Sequence, residues 1–191
     1  FERWWGGFYL LNEEEIRWIV NNLFVGNKLS QGEARLGPGR YFDLKSIKQP
    51  IIVFASMGDN ITPPQQAFNW IADLYSSTDE IKANGQTIVG LIHEDVGHLG
   101  IFVSGKVAKK EHAQIFEVLK YIQTLPPGLY GMEIHEIQHA DGEVTYDVTL
   151  HERSLEALKK LQKYDRVDEK PFEAVAALSE LTERAYELLV R

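Results

Sequence analysis

The chain has 191 residues, of which 44% are hydrophobic and 25% charged, the balance of a globular protein and not of a disordered, collagenous or mucin-like one. Its 20 Lys and Arg against 28 Asp and Glu give a net charge of −8, the wrong sign for neutralising many phosphates, so nucleic acid is not expected as a partner. Cysteine is absent, which excludes disulfides, a thiol nucleophile and a cysteine metal site from this chain; with no signal peptide and no apolar run near the ~20 residues that span a bilayer, a cytoplasmic protein without a transmembrane segment is expected.

The chain opens on an aromatic run, Phe1, Trp4, Trp5, Phe8 and Tyr9, which reads as core or, alternatively, as the lining of an acyl pocket. Asn12 with Glu15 forms a capping box, Ile16, Ile19, Val20 and Leu23 recur at helical spacing, and Gly26 supplies a stop. Residues 27–40 are glycine-rich and read as an irregular connection. Past Pro50, the run Ile51-Ile52-Val53-Phe54-Ala55 is a strand buried on both faces. A loop at Gly58-Asp59-Asn60 leads to a helix capped by Thr62, with Pro63 at its first position and Ala67, Trp70, Ile71 and Leu74 as its apolar stripe.

A short segment, Asp79 to Asn84, ends at Gly85, and Thr87 to Ile92 reads as a second buried strand. The loop His93 to Gly100 follows, then a helix over about Val107 to Thr124 presenting Ile115, Val118, Leu119 and Ile122. Strand, helix, strand, helix is the rhythm of a parallel α/β sheet. Beyond Pro126-Pro127-Gly128, Met132–His139 and Val144–Leu150 flank Asp141-Gly142 as a hairpin, and helices are expected over about Ser154–Tyr164 and Pro171–Val190. The division expected is a connection or cap at 1–49, core strands and helices at 50–125, and a hairpin with a helical tail at 126–191. Phe1 in first place and a last helix, Leu181 to Arg191, without a stop signal suggest a segment of a longer protein.

In an open α/β sheet, functional groups sit in the loops at the carboxyl ends of the strands. Asp59 follows the first strand and His98 the second, in the chain order of the last two members of an α/β-hydrolase triad. A carboxylate there holds the imidazole tautomer and the imidazole takes a nucleophile's proton; the plainer alternative is a turn-capping Asp and a packed loop His. Ser56, in Phe54-Ala55-Ser56-Met57-Gly58, imitates the nucleophile elbow, but Phe54 stands where a small residue is needed and Ser56 shares a loop with Asp59. Ser104 lies past His98, in the wrong order.

These residues carry a family resemblance. Gly58-Asp59-Asn60-Ile61-Thr62-Pro63-Pro64 resembles the acid loop of α/β-hydrolases, and Gly97-His98-Leu99-Gly100-Ile101-Phe102-Val103-Ser104 resembles the histidine loop of poly(3-hydroxyalkanoate) synthases. Asn21 to Leu29 and Phe42 to Pro50 are similar to the same synthases, so that the likeness runs from about Ile16 to Gly105. The part beyond Thr124 resembles the tail of an uncharacterised, synthase-related hydrolase family. The resemblance implies the C-terminal portion of an α/β-hydrolase fold, an acyl ester or thioester substrate, Asp59 as triad acid and His98 as general base. Those synthases use a cysteine nucleophile upstream; this chain has none, so the nucleophile is expected in a missing N-terminal half and the segment alone is expected to be inactive. No metal or organic cofactor is implied.

Two other readings stand beside this one. A non-catalytic, synthase-like scaffold or binding protein would keep Asp59 and His98 for structure. A zinc metalloprotease would use His135-Glu136-Ile137-Gln138-His139, a literal H-E-x-x-H. That motif binds zinc on a helix, whereas its flanking glycines indicate a strand, on which the two histidines would stand about 13 Å apart at ~3.3 Å per residue.

Overall fold

The computed structural model describes residues 3, 6–7, 9–24, 27–161 and 166–190. Phe1, Trp4, Trp5 and Phe8 of the aromatic opening, the Gly26 stop and the expected helix end at Tyr164 lie outside the described residues. The chain has α/β character, with a four-stranded, mostly parallel sheet flanked by helices.

Helix α1 (Glu13–Ile19) begins with the expected capping box: Asn12 accepts from the Glu15 N–H while Glu15 reaches back to the Asn12 N–H. Residues 27–40, expected to be irregular, contain part of a small antiparallel hairpin, β1 (Arg35–Gly37) with β2 (Arg40–Tyr41), turning at Gly39 with φ +67°. The Trp18 indole N–H donates to Arg35 O at 2.8 Å and its ring meets Phe42 edge-on, tying α1 to this hairpin.

The main sheet runs β3 (Ile51–Ser56), β4 (Thr87–His93), β5 (Gly128–Gln138), β6 (Val144–Glu152). The pairs β3·β4 and β4·β5 are parallel, and β5·β6 is the antiparallel hairpin. The hairpin expected in the tail therefore continues the sheet, because β5 starts at Gly128 and its first residues pair with β4. Helices α2 (Pro64–Leu74) and α3 (Thr78–Ala83) lie between β3 and β4 in the chain. Gly85, at φ +72°, lets α3 end in a Schellman turn, with Gly85 N–H to Lys82 O and Gln86 N–H to Ile81 O.

Two short helices, α4 (Gly100–Val103) and α5 (Gly105–Val107), precede the helix expected from about Val107, which runs as a wide π turn at Ala108–His112 followed by α6 (Ala113–Ile122). Ser104 separates α4 from α5: its backbone is extended and its hydroxyl caps Val107 N–H. The tail carries α7 (Leu155–Lys159), α8 (Arg166–Glu169) and α9 (Glu173–Val190).

Alternate side chains of β3 and β4 enter two cores, which is why both strands read as continuous apolar runs. Ala55 and Ile88 pack with Phe68, Ile71, Ile81 and Leu155 on the side of α2, α3 and α7. Ile52, Phe54, Val89 and Leu91 pack with Ile115, Val118 and Ile122 on the side of α6. The sheet is thus held between helices, and its carboxyl-end loops project beyond both cores. Among the described residues no helix is long and apolar enough to cross a membrane.

Candidate functional site

The register sets the site. Ser56 and His93, the last residues of β3 and β4, are paired neighbours, so the loops that follow them leave the sheet side by side. Met57 N–H donates to His93 O, and the Ser56 hydroxyl donates to Val96 O at 2.6 Å. Gly58 is required at this junction, since a Cβ there would lie 2.3 Å from Asp95 O.

The stitched loops bring Asp59 and His98 together, with His98 Nδ1 2.9 Å from Asp59 Oδ2. The Asp59 side chain is 0% exposed and that of His98 33%. Asp59 is set by its own turn: Oδ1 accepts from Ile61 N–H at 2.9 Å and from Thr62 N–H at 2.8 Å. The Thr62 hydroxyl donates to Oδ2 at 2.7 Å and stands 3.0 Å from His98 Nδ1. Burial alone would push the Asp59 carboxyl up; the hydrogen bonds from Thr62, His98 and Ile61 outweigh it and hold it well below the usual carboxylate range.

A carboxylate only accepts, so His98 Nδ1 carries the proton in this contact. In the neutral ring the lone pair is then on Nε2, the nitrogen available to act as a base. A buried acid orienting a half-exposed imidazole at the end of a parallel sheet is what proton transfer requires.

The structure corrects the expected role of Thr62. Pro63 stands at the N-cap of α2 and makes no side-chain cap, while Thr62 turns its hydroxyl onto the acid and the imidazole. Sequence reading missed this role, although an Asp in the loop after a strand signals an Asx turn, whose carboxylate accepts from the N–H two residues on, as Asp59 does from Ile61, and so brings Thr62 beside it. His93, also missed, closes β4 with 9% exposure and accepts the N–H groups of Asp95 and Val96, the backbone that leads to His98.

Ser56 is 0% exposed and spends its hydroxyl within the loop junction, donating to Val96 O and accepting from Gly58 N–H at 3.2 Å. It stitches the loops and does not face His98 as a nucleophile would. The H-E-x-x-H residues His135 to Gln138 end strand β5, with His135 Nε2 3.3 Å from Thr149 Oγ1 and His139 Nε2 2.7 Å from Thr145 Oγ1. The helix that a zinc-binding H-E-x-x-H needs is not there.

All 191 residues, 1–191, match the model of a family described as "Protein of unknown function (DUF3141)", and the chain belongs to that family. It is 45% identical over 193 residues to an "Uncharacterized protein in ackA 5'region" of Rhizobium meliloti, across 97% of this chain and 26% of that protein. The chain thus spans about a quarter of this relative's length. No solved structure matches it.

Proposed function

We propose that this member of the family supplies the acid and the base of an acyl-transfer triad, Asp59 and His98, within an α/β-hydrolase fold like that of poly(3-hydroxyalkanoate) synthases and related hydrolases. The observation that carries the reading is the 2.9 Å contact between a fully buried Asp59 and a partly exposed His98 on loops following adjacent parallel strands. The substrate is an acyl ester or thioester. His98 Nε2 takes the proton of the nucleophile as it attacks the carbonyl carbon, then returns it to the departing alcohol or thiol.

The nucleophile and the oxyanion donors lie outside this chain in this reading, because Ser56 is committed to the loop junction and Ser104 to a helix cap. Two features agree with that. Among the described residues β3 pairs on one side only, leaving an edge for further parallel strands. Met57, Ile61, Leu99 and Phe102, on the two loops and the start of α4, are exposed by 60%, 62%, 38% and 65%, an apolar rim suited to an acyl chain or to more of the domain.

The test is turnover of activated acyl esters and acyl thioesters by a protein of the relative's length. Asp59→Asn leaves the shape but favours the wrong imidazole tautomer, and a loss of about 10⁴-fold is expected on the scale of the same change in a serine-protease triad. His98→Ala should be as severe, with the double variant little worse, because triad members act as a unit. Near-normal turnover in either single variant refutes the dyad. No turnover in the parent, with full folding, favours the scaffold reading.

A further inference from the structure

A second buried polar pair lies at the root of the His98 loop. Because His93 Nδ1 accepts two N–H groups, from Asp95 and Val96 at 3.2 Å each, that atom carries no proton. The proton of the neutral ring is then on Nε2, which faces Glu111 Oε1 at 3.6 Å. Asp95 Oδ1 also stands 3.3 Å from Nδ1, but its side chain is 79% exposed and water screens it.

Glu111 is hard to explain by stability. Its side chain is 4% exposed and its Oε2 has no hydrogen-bond partner among the described residues. Lys110 Nζ stands 3.9 Å from its Oε1. A buried carboxylate with an unsatisfied oxygen destabilises a fold. Glu111 lies in the π turn at Ala108–His112, a local departure from α-helix of the kind frequent at functional sites.

We propose that His93 is a positioning residue for His98. The Asp95 and Val96 N–H groups keep its proton on Nε2, which faces the Glu111 carboxyl, and the bare Nδ1 holds the backbone of those two residues, the segment that sets His98 against Asp59. The catalytic consequence rests on the dyad reading above; the positioning itself does not.

His93→Leu is the test, because it removes the acceptor of the Asp95 and Val96 N–H groups, and Glu111→Gln is the control, because a carboxamide still offers its carbonyl oxygen to His93 Nε2–H. With 15N-labelled histidine, NMR should show His93 protonated on Nε2 in the parent and in Glu111→Gln. His93→Leu should weaken the His98 Nδ1–H resonance and speed amide exchange at Asp95 and Val96 by about tenfold or more, the scale of one lost hydrogen bond. His93→Asn should stay nearer the parent on both counts, because its Oδ1 accepts; a merely space-filling role predicts no such difference between Leu and Asn. A His93 protonated on Nδ1 in the parent overturns the proposal, as do an unchanged His98 resonance and unchanged exchange in His93→Leu.

Should His93→Leu fail to fold, amide exchange at Asp95 and Val96 in His93→Asn decides the matter. Protection close to the parent's supports the proposal, and exchange faster by about tenfold or more overturns it. These readouts need no turnover. A protein lacking acyl activity but showing them refutes the hydrolase reading alone, and an active dyad with an indifferent His93 refutes this one alone.

Discussion

At the scale of single residues, Thr62 decides how well Asp59 can do its work. One residue donates to the carboxylate by both its backbone N–H and its side-chain hydroxyl, and the hydroxyl also borders the His98 contact. Thr62→Val keeps the backbone donor and the shape but deletes the hydroxyl. A hydrogen bond to a charged group is worth about 1.5–3 kcal/mol, so turnover in a longer, active protein should fall by about tenfold to hundredfold, with Thr62→Ser close to the parent. The same change has a pH signature. Asp59 is depressed below its ordinary 3.8, so its ionisation stabilises the fold above that value and the stabilisation drains away as the pH falls toward the lower folded one. Thr62→Val moves the folded value back toward 3.8, leaving less to lose. The stability gap between parent and Thr62→Val, measured by urea unfolding, should therefore be full at pH 7 and close as the pH drops below about 4. A gap that persists in acid would mean that Thr62 acts through packing and not through the carboxylate. Asp59 and His98 were legible in the sequence because strand ends are easy to see; Thr62 was not, because a Thr before two prolines looks like any helix cap.

At the scale of elements, the site is a junction between two loops, and its geometry depends on how closely they approach. Gly58 permits that approach, since its missing Cβ leaves room for the Asp95 and Val96 carbonyls. Gly58→Ala places a methyl 2.3 Å from Asp95 O, so the β3 and β4 loops must separate. A displacement of about 1 Å can cost ~10²-fold in rate. In a longer, active protein we expect Gly58→Ala to lower kcat by roughly that factor while KM stays near the parent value, and in either length to broaden or lose the His98 Nδ1–H resonance. Full activity would show that the loops are less tightly coupled than their hydrogen bonds imply. Sequence periodicity placed the strands that carry these loops, because side chains buried on two faces leave an unmistakable apolar run. It did not place the π turn at Ala108–His112: the apolar stripe Ile115, Val118, Leu119 and Ile122 lies wholly in α6, and nothing in the composition before it marks the change from α to π. Nor did it show β5 starting at Gly128, since pairing with β4 is a long-range contact that leaves no local mark.

At the scale of the whole molecule, strand β3 is where the half-triad reading becomes a statement about assembly. It carries the acid loop, it is an edge strand among the described residues, and it is apolar along its length, the combination that folded proteins ordinarily pair or cover. A parallel edge is rarely left to water, because parallel sheets bury both faces and depend on crossover helices for cover. If the chain is the C-terminal portion of an α/β-hydrolase domain, strands from the remaining three quarters of a protein of the relative's length continue the sheet beyond β3. They then bring the nucleophile loop to the same carboxyl end as Asp59 and His98. Hydrogen exchange tests this directly. In the 191-residue chain, the β3 amides that point away from β4 should exchange quickly, while those bonded to β4 are protected. In the longer protein both sets should be protected to a similar degree, and the exposed apolar rim around His98 should lose accessibility with them. Protection of β3 without turnover would place the sheet correctly and remove the chemistry. Outward β3 amides that still exchange quickly in a folded longer protein would show that no strand is added there, and the nucleophile would then have no route to His98 through this sheet.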